Sequence, residues 1–212
     1  MTSENNDRAV RLAVLLSGSG TTLENILQRI EKGELNASVE IVIGTKESAY
    51  GLVRARKRDI PAEVVNPSDF GGADDFSREL AGVIDRYNAD LVILAGFMFL
   101  FTIPERYEGR VMNIHPALIP AFSGKGYYGH HVHEAVLERG VKVTGCTVHF
   151  VDNVYDNGPI ILQKTVEVKD DDTPGSLAER VQEAEREAYP EAIRLFSEGR
   201  LLIKNRRVRI IS

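Results

Sequence analysis

Near the start of the chain, Ala9 to Leu16 is apolar throughout except for Arg11, and it runs straight into Ser17-Gly18-Ser19-Gly20-Thr21-Thr22. A strand apolar on both faces must be covered on both, which is the situation of a strand inside a parallel sheet. Leu23, Ile26, Leu27 and Ile30 then recur at helical spacing. Strand, glycine loop and helix in that order form the first crossover of an α/β fold, and they aim backbone N–H groups and a positive helix end at an anion. A phosphate would fit there, although a tight strand-to-helix turn alone would use the same residues. A dinucleotide fingerprint would require a third glycine where Leu23 stands. It would also require an acidic residue after Ile41-Val42-Ile43-Gly44, where Thr45-Lys46 stands. Both are missing, so one phosphate is favoured over NAD.

The same logic extends along the chain. Ala89 to Gly96 reads as a second buried parallel strand, ending in Phe97-Met98-Phe99-Leu100-Phe101, which suits either core packing or an apolar slot for a flat ring. Ala49 to Arg58 reads as a basic helix whose Arg54, Arg56, Lys57 and Arg58 form a solvated face. Ala62 to Val65 reads as a short strand and Asp74 to Tyr87 as an amphipathic helix. Lys142 to Asp152 and Pro159 to Val168 alternate as two pairing strands. Thr173-Pro174 opens a helix with Leu177, Val181, Ala184, Ala188 and Ala192 on its buried stripe, and Pro190 should kink it. Leu201 to Lys204 and Arg207 to Ile211 form a hairpin around Asn205-Arg206. The expected class is α/β: a mostly parallel twisted sheet flanked by helices, Rossmann-like in its amino-terminal half, with an antiparallel addition. The expected division is a polar extension (1–9), one domain (10–204) and a terminal strand or tail (205–212).

A formal net charge of -5 argues against an extended nucleic-acid surface, so the partners are expected to be small molecules. No apolar run approaches the ~20 residues that span a bilayer, and the polar start lacks the apolar core of a secretory signal. The single cysteine, Cys146, permits no intrachain disulfide and sits in an apolar strand pattern, which fits packing and a cytoplasmic location. His130, His131 and His133 lack the cysteines or paired acids that would complete a ligand set, so no metal is expected.

The chemistry is expected between Met112 and Pro159. In Val111-Met112-Asn113-Ile114-His115-Pro116, Asn113 and His115 are two apart on a strand and project to one face. An amide donor and a titratable imidazole together serve a carbonyl under attack. Asp156, in the later loop Tyr155-Asp156-Asn157-Gly158-Pro159, could orient the imidazole and favour its charged form. That set suggests acyl transfer. His149 reads as a structural histidine. Ala121 to His130, with three glycines, reads as a lid or a plain surface loop.

Longer strings carry a resemblance. Met112-Asn113-Ile114-His115-Pro116-Ala117-Leu118-Ile119-Pro120, His131-Val132-His133-Glu134-Ala135, Thr144-Gly145-Cys146-Thr147-Val148-His149-Phe150-Val151 and Asp156-Asn157-Gly158-Pro159-Ile160-Ile161-Leu162-Gln163 together resemble the formyltransferases that use 10-formyltetrahydrofolate. The similarity runs from about Arg11 to about Leu202 and is greatest to the branch that formylates phosphoribosylglycinamide in purine biosynthesis. The resemblance implies the formyltransferase fold, 10-formyltetrahydrofolate as co-substrate, no metal, and a monomer or homodimer. It implies catalysis by Asn113, His115 and Asp156. It assigns the substrate's phosphate to Gly20, Thr21 and Thr22, and the ribonucleotide further to Gln182 and Glu185, the latter accepting from ribose hydroxyls. It assigns the folate to Met98, Phe99, Leu100, Phe101 and Asn113, with Asp152, Asn153, Val154, Tyr155 and Asp156. Many relatives have Ser-Asn at Thr21-Thr22, an arginine at Phe99, and some an arginine at Ala73 for the folate's glutamate tail. Hydrolysis of the same donor would be expected with an additional amino-terminal domain, and formylation of initiator tRNA with a basic carboxyl-terminal one. A non-catalytic mononucleotide-binding module would need only the phosphate loop.

Overall fold

The computed structural model describes residues 8–212, so most of the expected polar extension lies outside the described residues. Strands β1 (Val10–Leu16), β2 (Ala37–Gly44), β3 (Ala62–Val64), β4 (Leu91–Leu94) and β5 (Val111–His115) are parallel and lie in the order β3-β2-β1-β4-β5. Antiparallel strands β6 (Val143–Phe150) and β7 (Ile160–Glu167) extend the sheet beyond β5. The hairpin of β8 (Leu201–Lys204) and β9 (Arg207–Ile210) closes the far edge, with β9 beside β7. Helices α1 (Thr21–Glu31), α2 (Tyr50–Arg56), α3 (Ala73–Arg86), α4 (His130–Arg139) and α5 (Pro174–Ser197) connect and cover it.

Alternation explains why β1 is apolar on both faces. Leu12, Val14 and Leu16 join one core with residues of α1, α2, α4 and α5, whereas Ala13 and Leu15 join a second core with Phe76, Leu80 and Ile84 of α3. Chain order reverses between β1 and β4, and a crevice at strand carboxyl ends is expected at such a switch.

Helix α5 crosses that region and is anchored to it. The fully buried Tyr189 hydroxyl donates toward the Met112 carbonyl at 2.7 Å and the Leu94 carbonyl at 3.1 Å, bridging β5 and β4. The helix is continuous through Pro190 from Pro174 to Ser197. Proline has no N–H for the carbonyl four residues back, which is that of Arg186. The Asn25 side-chain amide of α1 donates to that carbonyl at 3.0 Å, so the bond missing from α5 becomes a link between two helices.

The basic face of α2 is not wholly solvated. Arg54 and Arg58 both pair with Glu24 of α1 at 2.8 Å, and Arg54 also donates to the Ser19 carbonyl at 3.0 Å. The ion pairs tie α2 and the turn after it to α1, and the Arg54–Ser19 hydrogen bond ties α2 to the glycine loop, a partnership that helical periodicity within α2 does not reveal. No helix of the described residues is long and apolar enough to cross a membrane.

Candidate active site

The glycine loop leaves β1 through Ser17 and enters α1 at Gly20, which is left-handed at φ 70°. A Cβ there would lie 2.6 Å from the Gly51 Cα, so only glycine lets α2 pack this close. Ser17 ties the loop to the segment after β4: its N–H donates to the Gly96 carbonyl at 3.1 Å and its hydroxyl accepts from the Met98 N–H at 3.1 Å. Thr21 and Thr22, at the first turn of α1, share a small recess with Asn25, Gln182, Glu185 and Arg186. Burial pushes the Glu185 carboxyl up to about 7, with Arg186 pulling the other way. The residues assigned to the ribonucleotide are thus brought together from α1 and α5, with Gly20 behind them as the turn.

A larger cleft of about 330 Å³ opens beyond the carboxyl ends of β4 and β5. Met98, Phe99, Leu100 and Phe101 line one side, and Asp152, Val154, Tyr155 and Asp156 another. Gly124 to Gly129 form a third side, and Asn113, His115 and His149 are at the strand ends. Phe101 is buried in the α3-side core, while Met98 and Phe99 are exposed at the mouth. Asn153 is the exception among the expected cleft residues: its side-chain oxygen accepts from the Ile103 N–H at 2.9 Å, holding the loop rather than lining the cleft.

Asn113, His115 and Asp156 converge, although 43 residues separate the first from the last. Asn113 Nδ2 donates to Asp156 Oδ1 at 3.3 Å, and His115 Nδ1 lies 3.4 Å from Asp156 Oδ2. The Gly124 N–H donates to Asp156 Oδ2 at 3.0 Å, and His115 Nε2 donates to the Phe122 carbonyl at 2.7 Å. The segment around Phe122 and Gly124 is therefore fastened at two points to the residues it covers. Burial alone would raise the Asp156 carboxyl, but the His149 and His115 rings and the Gly124 N–H outweigh it, and the carboxyl is held below its usual range.

Two expectations change here. The imidazole of His115 was expected to be kept charged by Asp156. Instead, burial lowers its pKa from the ordinary histidine value, and the opposing influences of Asp156 and the Phe122 carbonyl are smaller. Its neutral form is favoured. His149 also belongs to the site rather than only to the scaffold. It stands directly across from Asn113 in the β5–β6 ladder and therefore shares its face. Its Nδ1 donates to the Phe150 carbonyl at 2.8 Å, leaving Nε2 to accept from Asn113 Nδ2 at 3.3 Å. A polar residue two positions after Thr147 in an apolar strand was the available signal. Thr147, opposite His115, secures the segment after β5: its hydroxyl donates to the Ala117 carbonyl at 2.7 Å and accepts from the Ile119 N–H at 3.1 Å.

His133 is buried in α4, and its Nδ1 has no hydrogen-bond partner among the described residues. Cys146 is buried, and burial pushes its thiol up to about 12, consistent with packing rather than reactivity.

Chemically, the floor of the cleft offers an amide donor, a buried imidazole and an ionised carboxylate beside an apolar slot, with an anion-ready loop hydrogen-bonded to that slot. This is an arrangement for attack on a small carbonyl carried by a flat ligand.

Comparison with known proteins agrees with that chemistry. The formyl transferase family model matches residues 10–193. The chain is 38% identical to phosphoribosylglycinamide formyltransferase of Escherichia coli (strain K12) over 91% of its own length and 89% of that protein's. It is 40% identical over 90% of its length to the trifunctional purine biosynthetic protein adenosine-3 of Gallus gallus, of which it spans 19%. The crystal structure of glycinamide ribonucleotide transformylase 1 from Symbiobacterium toebii superposes with a TM-score of 0.90 at 45% identity, covering 96% of this chain and 95% of that one.

Proposed function

The chain belongs to the formyl transferase family, and on that premise we propose that it moves the formyl group of 10-formyltetrahydrofolate to the amine of 5-phosphoribosylglycinamide. The products are formylglycinamide ribonucleotide and tetrahydrofolate, in purine biosynthesis. The observation that carries the reading is the meeting of Asn113, His115 and Asp156 at the floor of a cleft whose apolar wall connects through Ser17 to the phosphate loop.

In this reading the substrate's phosphate takes the N–H groups at the start of α1. Its ribose meets Gln182 and Glu185, and the folate's pterin enters the slot of Met98 to Phe101, with Asp152, Val154 and Tyr155 opposite. The amine attacks the formyl carbon. Asn113 Nδ2, whose present contacts are both long at 3.3 Å, turns one N–H toward the oxygen as it becomes negative. His115, neutral beforehand, accepts the amine's proton and becomes an imidazolium beside the Asp156 carboxylate. Charge thus appears on the ring as it appears on the oxygen. The proton then passes to the departing folate nitrogen, directly or through water, and the carbon–nitrogen bond to folate breaks.

The test is absorbance-monitored release of tetrahydrofolate from 10-formyltetrahydrofolate, with and without the ribonucleotide. Release that requires the ribonucleotide, with formylated ribonucleotide recovered, supports transfer. Release that ignores it indicates hydrolysis and overturns the proposal, and no release under either condition leaves only a binding module.

A further inference from the structure

The carboxyl-terminal hairpin differs in charge from the rest of the molecule. The whole chain has a net charge of -5, yet Gly199 to Ser212 holds Arg200, Lys204, Arg206, Arg207 and Arg209 and no acid. The register of β8 on β9 sorts these residues. Leu202 stands opposite Arg209 and Lys204 opposite Arg207, so these four side chains share one face. Leu201, Ile203, Val208 and Ile210 take the other face, where Leu201 and Val208 pack against the core.

On the first face the charge is unanswered. Arg200 pairs with Glu198, and Arg206, in the turn, donates to the Asn157 carbonyl. Lys204, Arg207 and Arg209 are exposed, and their side chains make no ion pair or hydrogen bond among the described residues. Lys204 and Arg207 repel each other directly across the ladder, and with Arg209 they line an open recess of about 440 Å³. Leu202, 49% exposed, sets apolar surface beside this charge.

The backbone here is also open. β8 is the last strand of the nine-stranded sheet. The Ile211 N–H donates to the Arg200 carbonyl at 2.9 Å, and bonded and open positions alternate along each strand of an antiparallel pair. Leu202 and Lys204 therefore turn their backbone groups toward β9. Leu201 and Ile203 turn theirs outward, where no strand pairs with them among the described residues.

We propose that β8 takes up an extended acidic segment of a partner protein as a tenth strand. Main-chain bonds go to Leu201 and Ile203, which is how a free sheet edge binds a peptide. Carboxylates on alternate residues of the incoming strand meet Lys204, with Arg207 and Arg209 one strand further in, and relieve the Lys204–Arg207 repulsion. A second copy fits poorly, because two β8 edges side by side would bring two cationic faces together. Nucleic acid finds no aromatic ring on this face to stack a base. A lipid surface would leave the outward N–H and C=O groups of Leu201 and Ile203 unsatisfied.

The experiment titrates a labelled peptide of alternating Glu and Val, blocked at both ends, into the full chain and follows fluorescence anisotropy. Binding should saturate below about 1 mM at low salt and weaken about tenfold in the double variant Lys204→Glu, Arg209→Glu. Both positions are exposed, and an unchanged thermal midpoint shows that the variant is folded. Saturating peptide should slow hydrogen exchange at the Leu201 and Ile203 amides about tenfold and leave Leu202 unchanged. Binding that leaves those two rates unaltered is charge attraction alone and overturns strand addition. Equal binding of a peptide of alternating Lys and Val overturns the acidic preference. Phosphatidylserine vesicles or single-stranded DNA binding where the peptide does not would give the face to lipid or nucleic acid instead. A dimer by sedimentation velocity, with both amides already slow without peptide, overturns the proposal in favour of a second copy. No binding of any probe also overturns it and leaves the cations as a guard against edge pairing.

Discussion

Asn113 holds its two amide hydrogens loosely, one toward Asp156 and one toward His149. Loose contacts in the ground state let a donor strengthen its bond in the transition state, which is where a donor accelerates the reaction. Asn113→Ala should therefore fold normally and lose about 3 kcal/mol of transition-state stabilisation, roughly a hundredfold in kcat. Rapid-quench turnover near the wild-type rate would remove Asn113 from the mechanism. His115 leads to a pH prediction. Its folded pKa lies below the ordinary histidine value, so the active neutral form persists at neutral pH, and kcat/KM falls only as pH drops through that lowered value. Asp156 acts to raise the pKa of the ring. Asp156→Asn should then move the acid limb of the pH profile to lower pH while reducing kcat, and a limb displaced upward would contradict the assignment.

At the scale of elements, the meeting of β1, α1 and α2 depends on Gly20. Any other residue there faces both a left-handed backbone and a contact of 2.6 Å with the Gly51 backbone. The backbone conformation alone is unfavourable by about 1–2 kcal/mol, and the clash adds to it. Gly20→Ala should lower stability by at least that amount in urea and raise KM for the ribonucleotide more than KM for the folate. Equal effects on the two would mean that the loop is only a turn. The Asn25 link to the carbonyl freed by Pro190 acts at the same level, coupling the two helices whose side chains line the recess proposed for the ribonucleotide.

Across the whole molecule, the parallel core positions both sites, because cleft and recess hang from the ends of strands packed on both faces. Ile93 lies in the middle of β4, fully buried, beside β1 and β5. Ile93→Ala should cost about 2–5 kcal/mol, the usual range for such a truncation in a core that cannot collapse onto the gap. Val143→Ala, at a site 53% exposed, should stay within about 0.5 kcal/mol. Equilibrium denaturation of both variants tests whether stability resides in this sheet as the packing indicates.

What the sequence determined by itself is what depends on neighbours along the chain. Apolar runs announced β1 and β4, helical spacing announced α1, α3 and α5, and the period of two placed Asn113 and His115 on one face, because strand and helix periods follow from local backbone geometry. Motif strings carried the family further than any of these spacings. Tertiary structure alone decided the rest. Arg54 and Arg58 met Glu24, Asn153 turned to Ile103, and His149 came to stand beside Asn113 through a cross-strand register whose slip by one residue would have pointed it away. The charge of His115 was decided there too, since burial is a property of everything packed around a ring and outweighs the one carboxylate that the sequence could name.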